Sequence, residues 1–249
     1  GGLPQILSYN TEEHKALFLK SLFAEPYIND LKERYNISRD DDLEELINIV
    51  ASGIGTLTNP NRLSNTFKSE KRSSISYDTV KDYIEYLCDS FIVEKTERYD
   101  VKGKNYINSL HKYYFMDLGL RNARLNFRQF EKTHLLENLI YNELRMRGYN
   151  IDVGVVPAVI RNKDGNQQRA NYEIDFVCNA GSRRYYIQSA YRMESDDKIK
   201  QEKTSLLKVD DSFKKIIVVG DEMPITRDDN GITIINIYDF LLKSNSLEL

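Results

Sequence analysis

The sequence predicts an α+β protein built from a mainly helical first module and an α/β second module. Three observations carry this. Apolar residues recur at helical spacing up to about residue 90. Apolar runs of strand length first appear between 91 and 117. From 133 onward the pattern reads α-β-β-β-α-β-β-α. The 249 residues are enough to bury real cores, and 41% hydrophobic with 29% charged residues fits a soluble globular chain.

Taken in order, residues 11–38 read as helix, with Leu17, Leu22 and Phe23 as apolar positions and Pro26 near a break. Ser38 to Asp42 offer caps for a helix whose stripe is Leu43, Leu46, Ile47 and Val50, ending at Gly53 and Gly55. Asn59 caps a short helix over 59–70, with Pro60 at its first position. Val80, Tyr83, Ile84 and Leu87 mark a third helix. Strand character follows in FIVEKTERYDVKGKNYI, with a Lys-Gly-Lys turn at 102–104, and again in KYYFMD at 112–117. Three short helices and a basic-tipped hairpin form the order of a winged helix-turn-helix. The expected modules are a connector at 1–38, a winged helix at 39–120 and the α/β domain at 121–249.

In that domain, 133–148 is a helix stopped by Gly148 and YNIDVGVVPAVI is a strand. The polar stretch RNKDGNQQRAN follows, then a hairpin over 171–192, a helix in ESDDKIKQEKTSLLKV, strands in KKIIVVG and ITIINI, and a closing helix.

Composition bounds the function. A net charge of −3 excludes a chain-wide basic field, so nucleic-acid binding needs local patches. Two lone cysteines, Cys88 and Cys178, fit a reducing cytoplasm. Three scattered histidines give no zinc signature, and no apolar run approaches membrane-spanning length. The start has no signal-peptide layout and no initiator methionine, so the chain is expected to be a piece of a longer one.

The hairpin carries the acids. If Gly181-Ser182 is a type II′ turn, Ala180 faces Arg183 and Asp175 faces Gln188, with Glu173 opposite Ala190. Alternation then puts Glu173, Asp175, Val177, Tyr186, Gln188 and Ala190 on one face. Ile174, Phe176, Tyr185, Ile187 and Ser189 take the other. On the 133–148 helix, Glu137 lies at the edge of an apolar face with Ile140, Tyr141 and Leu144. A carboxylate there needs a partner.

These residues resemble the core of the PD-(D/E)XK nuclease fold, in which a helix glutamate, a strand aspartate and a (D/E)-x-K on the next strand hold magnesium and position water. By that resemblance the helix acid is Glu137 and the strand acid Asp175, while the last slot reads Gln188-Ser189-Ala190. The amide lacks the charge that attracts magnesium and the methyl group replaces the lysine. Glu137 and Asp175 are then weak metal candidates, and Lys198, Lys200 and Lys203 on the next helix are candidates for a migrated lysine. The plain alternative is salt-bridged or solvated acids on a strand face.

A narrower resemblance covers nearly the whole chain. Gly-Gly-Leu-Pro at 1–4, TVKDYIEYLCDSFIVEKTERY at 79–99, HKYYFMDLGLRN at 111–122, HLLENLIYNELRMRGY at 134–149, EIDFV at 173–177 and YYIQSAYRM at 185–193 resemble the C-terminal region of a prokaryotic AAA+-type predicted ATPase family. That resemblance implies an N-terminal P-loop core, then a winged helix, then a restriction-endonuclease-like domain. No G-x-x-x-x-G-K-[ST] occurs here, so ATP and magnesium are expected only on the ATPase core. The expected function is a non-catalytic region of an ATP-binding cytoplasmic protein that binds nucleic acid or a partner. The alternatives are a magnesium-dependent nuclease with a rearranged site and a purely structural interaction domain.

The expected partners are the protein's own ATPase core, DNA, or another protein. Phosphate contacts would come from Arg62, Lys68, Lys71 and Arg72 against Glu70, and from a wing holding Lys95, Arg98, Lys102, Lys104 and Lys112 against Glu97 and Asp100. The third helix opposes this, with Asp78, Asp82, Glu85 and Asp89 against Lys81. Arg121, Arg124, Arg128, Arg145 and Arg147 form a further basic set or a solvated face.

Overall fold

The structure is a computed structural model that describes residues 1–71, 75–161, 166–193 and 196–249. It is α+β, with an eight-stranded mixed sheet ordered β2-β1-β3-β4-β5-β6-β8-β7. Two compact units emerge: 1–95 with 109–131, and 96–108 with 132–249. The division falls at 131/132 rather than at the expected 120/121.

In the first unit, α1 (Glu12–Leu22) and α2 (Asp30–Arg34) are joined by a π-helical turn at Phe23–Asn29. Pro26 lies inside that turn, so the expected break is a local widening of one helical run. Helices α3 (Asp40–Ser52), α4 (Pro60–Lys71) and α5 (Tyr77–Asp89) follow. Leu43, Leu46, Ile47 and Val50 are buried on α3, and Val80, Tyr83, Ile84 and Leu87 on α5, as their spacing predicts. Asn59 Oδ1 accepts from Arg62 N, the cap expected for α4. Strand β1 is Val93–Asp100 and β2 is Asn105–Phe115, one continuous strand where the sequence suggested two. Thr58, between α3 and α4, makes a one-residue bridge to His111 of β2.

Helix α6 (Leu118–Arg124) closes this unit, capped by Asp117, whose Oδ1 accepts from Leu120 N at 2.8 Å. It is tied to α3 by arginine. Arg121 is fully buried and donates to Ala51 O at 2.8 Å and Gln129 O at 2.7 Å. Arg124 donates to Asn48 Oδ1 and to Glu44 O. These side chains are internal fasteners, which corrects their reading as a solvent-facing basic set.

The second unit holds α7 (Lys132–Met146), β3 (Asn150–Arg161), β4 (Gln167–Ala180), β5 (Arg183–Ala190), α8 (Asp196–Leu207), β6 (Lys214–Val219), β7 (Thr226–Arg227), β8 (Thr233–Asn236) and α9 (Ile237–Leu242). The order matches the expected one except for the two-residue β7. Strands β3, β4 and β5 are antiparallel, while β5, β6 and β8 run parallel. The β1–β2 hairpin tip belongs to this unit. Residues Arg98 to Asp100 pair in parallel with Val153 to Val155, and Val101 lies in the core cluster with Val156, Ile174, Val177 and Tyr186. The tip is thus built into the sheet, and Lys112 is buried rather than presented on a wing.

On α7, Arg145 donates to Tyr149 O at 2.9 Å. Arg147 reaches Glu143 at 2.7 Å and Phe240 O at 2.5 Å, so both guanidinium groups serve the fold.

Candidate functional site

The β4–β5 hairpin has the predicted register. Gly181 takes φ 60° with no positive φ at Ser182, as a II′ turn requires, and Ala180 pairs with Arg183. The ladder continues to Phe176 opposite Ile187, which brings Asp175 beside Gln188.

On its other edge, β4 departs from the expectation. Asp152 pairs with Val177 but Gly154 with Ile174, so β4 carries an extra residue at Asp175–Phe176, a β-bulge. Strict alternation fails there: Ile174 shares the core cluster with Val177 and Tyr186 instead of facing away. Gly154 is the reason the bulge fits. A Cβ on it would meet Val177 Cγ2 at 2.8 Å and Ile174 Cβ at 2.9 Å.

The bulge aims Asp175 along the sheet. Its Oδ2 accepts from Ser189 N at 2.8 Å and from Ser189 Oγ at 3.1 Å. The Asp175 amide is met by Gln188 Oε1 at 3.4 Å, in place of a ladder carbonyl. Gln188 Oε1 also accepts from Ser205 Oγ of α8, and its Nε2 donates to Glu202 Oε2 at 3.4 Å. Glu202 is held by Lys198 at 2.8 Å. A polar chain therefore runs Lys198–Glu202–Gln188–Asp175–Ser189 from α8 across the hairpin. Sequence reasoning missed Glu202, Ser205 and Ser189; the first two lie three apart on α8, which puts them on one helical face.

Glu137 is buried on α7, as expected, and so is its neighbour Asn138, which donates to Asn142 Oδ1 at 3.2 Å. Glu173 pairs with Val155. Ala190 is buried in the apolar cluster with Leu206, Ile217 and Val219. A lysine there would carry its ammonium into hydrocarbon. Lys203 is paired with Asp228 at 2.8 Å and Lys200 is exposed. Among the described residues no group of three or more His, Cys, Asp or Glu side chains could hold a metal ion. The slot in which the nuclease resemblance implies an acid and a lysine holds Gln188 and the buried Ala190.

The nucleic-acid candidates divide. Arg62 and Lys68 are exposed on α4, and Arg62 also donates to Leu57 O. Arg72 and the side chain of Lys71 lie outside the described residues. Lys102 and Lys104 are exposed at the hairpin tip, where Lys102 pairs with Asp210 at 3.9 Å. No helix among the described residues is long and apolar enough to cross a membrane. The first unit also contains a cleft of about 510 Å³ between α3, α4 and the end of α6. Its walls include Glu45, Asn48 and Gln129 and, among the described residues, no Lys or Arg, so it suits an uncharged or cationic ligand better than a phosphate.

Residues 1–131 match a family described as a domain of unknown function (DUF8612), and residues 132–240 match a second, also a domain of unknown function (DUF4143). The chain belongs to the first of these families, with the second domain following it. An uncharacterized protein of Haemophilus influenzae is 30% identical over 243 residues, covering 98% of this chain and 56% of that protein. An uncharacterized protein of Methanocaldococcus jannaschii is 29% identical over 227 residues, covering 89% of this chain and 48% of that one. The chain thus spans about half the length of these relatives. Loose structural likenesses, each at 14% identity, are to protein VC1899 from Vibrio cholerae and to Can2 from Sulfobacillus thermosulfidooxidans in complex with cyclic tetra-adenylate. The first has a TM-score of 0.31 and covers 93% of this chain and 54% of that one. The second has a TM-score of 0.27 and covers 87% and 51%.

Proposed function

We propose that this chain is the non-catalytic, binding C-terminal region of a larger ATP-hydrolysing protein of the cytoplasm, and that its second unit keeps the framework of a nuclease-like domain without the chemistry. The carrying observation is the closure of the site. The Asp175 Oδ2 accepts from Ser189 N and Ser189 Oγ, the Gln188 amide is bonded at both ends, and Ala190 is buried in the core. A magnesium ion needs carboxylate oxygens free to converge on it, and a phosphodiester needs access. The ATPase itself is inferred from the family resemblance and accords with relatives about twice as long.

The first unit supports a winged-helix reading through helices α3, α4 and α5 and the Thr58–His111 bridge. Its third helix favours protein over DNA as the partner: Asp78, Asp82, Glu85 and Asp89 are exposed, and Lys81 lies 3.8 Å from Glu85. DNA remains the second reading because Lys102 and Lys104 are exposed.

Calorimetric titration with Mg²⁺ and Mn²⁺ tests the closure. The expected result is no saturable binding that Asp175→Asn removes. Stoichiometric binding lost in that variant would restore the metal-dependent reading.

A further inference from the structure

The C-terminal end of α5 differs from those of α2, α6 and α7. These three also end in a left-handed residue bonded back to the last turn. After α2 this residue is Asn36, with Ile37 N bonded to Lys32 O. After α7 it is Gly148, with Tyr149 N bonded to Leu144 O. After α6 it is Asn126, and Phe127 beside it shares the conformation with its half-buried ring under Lys20. Glycine and asparagine are what such a position favours, because a bulky Cβ is strained at positive φ. At α5 the same bonds form, Ile92 N to Leu87 O and Phe91 N to Cys88 O, yet the left-handed residue is Phe91 at φ 55°. Its ring gains no packing in return, since Phe91 is 78% exposed. The Met116 amide bonds Ile92 O, which places a second exposed apolar residue, 37% accessible, beside it.

A second observation concerns the helix leading there. Asp78, Asp82, Glu85 and Asp89 are exposed at spacings of four, three and four, which set them on one stripe of α5. Tyr77, 45% exposed, precedes Asp78 at the start of α5, and the exposed Phe91 follows Asp89 by two residues. Among the described residues, Lys81 lies 3.8 Å from Glu85 and the Tyr35 hydroxyl donates to Asp89 at 3.3 Å. An acidic stripe with aromatic residues at its ends repels phosphate and matches a basic segment carrying apolar side chains.

We propose that this face of α5 docks a basic, amphipathic segment of a partner protein, gripped by the acidic stripe and anchored on Phe91. The inference rests on the reading of the chain as a protein-binding region. A strained, exposed aromatic residue is tolerated where binding uses it, because backbone strain of this kind collects at ligand clamps.

The test uses the 249-residue chain and a labelled helical Leu/Lys peptide as probe, read by fluorescence anisotropy, with a short DNA duplex as competitor. Four outcomes support the proposal. Asp82→Lys with Glu85→Lys weakens peptide binding at least about tenfold. Phe91→Gly weakens it several-fold while the melting temperature stays equal or rises. Glu222→Lys, an exposed reversal in the other unit, leaves affinity within about twofold. The duplex does not compete. The proposal is overturned if Phe91→Gly binds as the wild type does, if Glu222→Lys weakens binding as much as the stripe reversals, or if the duplex displaces the peptide. Divalent-dependent DNA cleavage would overturn the non-catalytic reading and leave this surface standing.

Discussion

Ser189 donates to one oxygen of Asp175 twice, from its backbone nitrogen at 2.8 Å and from its hydroxyl at 3.1 Å. Both residues are buried, so the carboxylate serves as an acceptor inside the sheet. Asp175→Ala leaves the Ser189 donors unpaired and is expected to cost about 2–3 kcal/mol, whereas Ser189→Ala costs about 1 kcal/mol. Urea unfolding of both variants and the double variant measures the coupling. Additive losses would show that the pair acts separately.

Rebuilding the nuclease slot tests the sealed position. Ala190 packs against Leu206 and Val219, so Ala190→Lys overfills the cluster and buries an ammonium. The expected loss is about 3 kcal/mol or more. Gln188→Glu with Ala190→Lys is expected to lower the melting temperature without conferring cleavage. A stable, cleaving double variant would contradict the closure of the site.

The register of this hairpin was legible because glycine at the first turn position fixes it. The bulge was not. It rests on Gly154 lying under Ile174 and Val177 on a neighbouring strand, a long-range fit with no local signature. Glu202 and Ser205 were illegible for a similar reason: only tertiary packing lays α8 across Gln188. The helices were read well because four apolar positions on α3 and four on α5 follow helical spacing, and all are buried. The arginines of α6 and α7 misled because charge suggests surface, whereas Arg121 is buried and donates to the carbonyl oxygens of Ala51 and Gln129.

Acid sensitivity of the first unit follows from Glu44. Its carboxyl is held below the ordinary value chiefly by the Lys32 hydrogen bond, with burial opposing and Arg124 assisting. A depressed folded value gives stability that is present above the unfolded pKa and lost as pH falls through the folded one. Glu44→Gln is therefore expected to lower stability at pH 7 by up to about 1 kcal/mol, since the pair is partly exposed. The difference should shrink in thermal melts as pH falls below the ordinary carboxylate range. A constant difference across pH would rule out the linkage.

The thiols are expected to be inert. Burial pushes Cys88 up to about 11, and Cys178, fully buried, is raised further. A disulfide reagent should therefore label both cysteines slowly in the folded protein and at once in denaturant. Rapid native labelling of Cys88 would show an opening of α5 that the fold does not predict.

The central claim is that Asp175 holds the sheet together and does not cleave. It is tested most directly by incubating the longest soluble form of the protein with single- and double-stranded DNA in Mg²⁺ or Mn²⁺, beside its Asp175→Asn variant. The account predicts intact DNA with both proteins. Divalent-dependent cleavage that Asp175→Asn abolishes would contradict it.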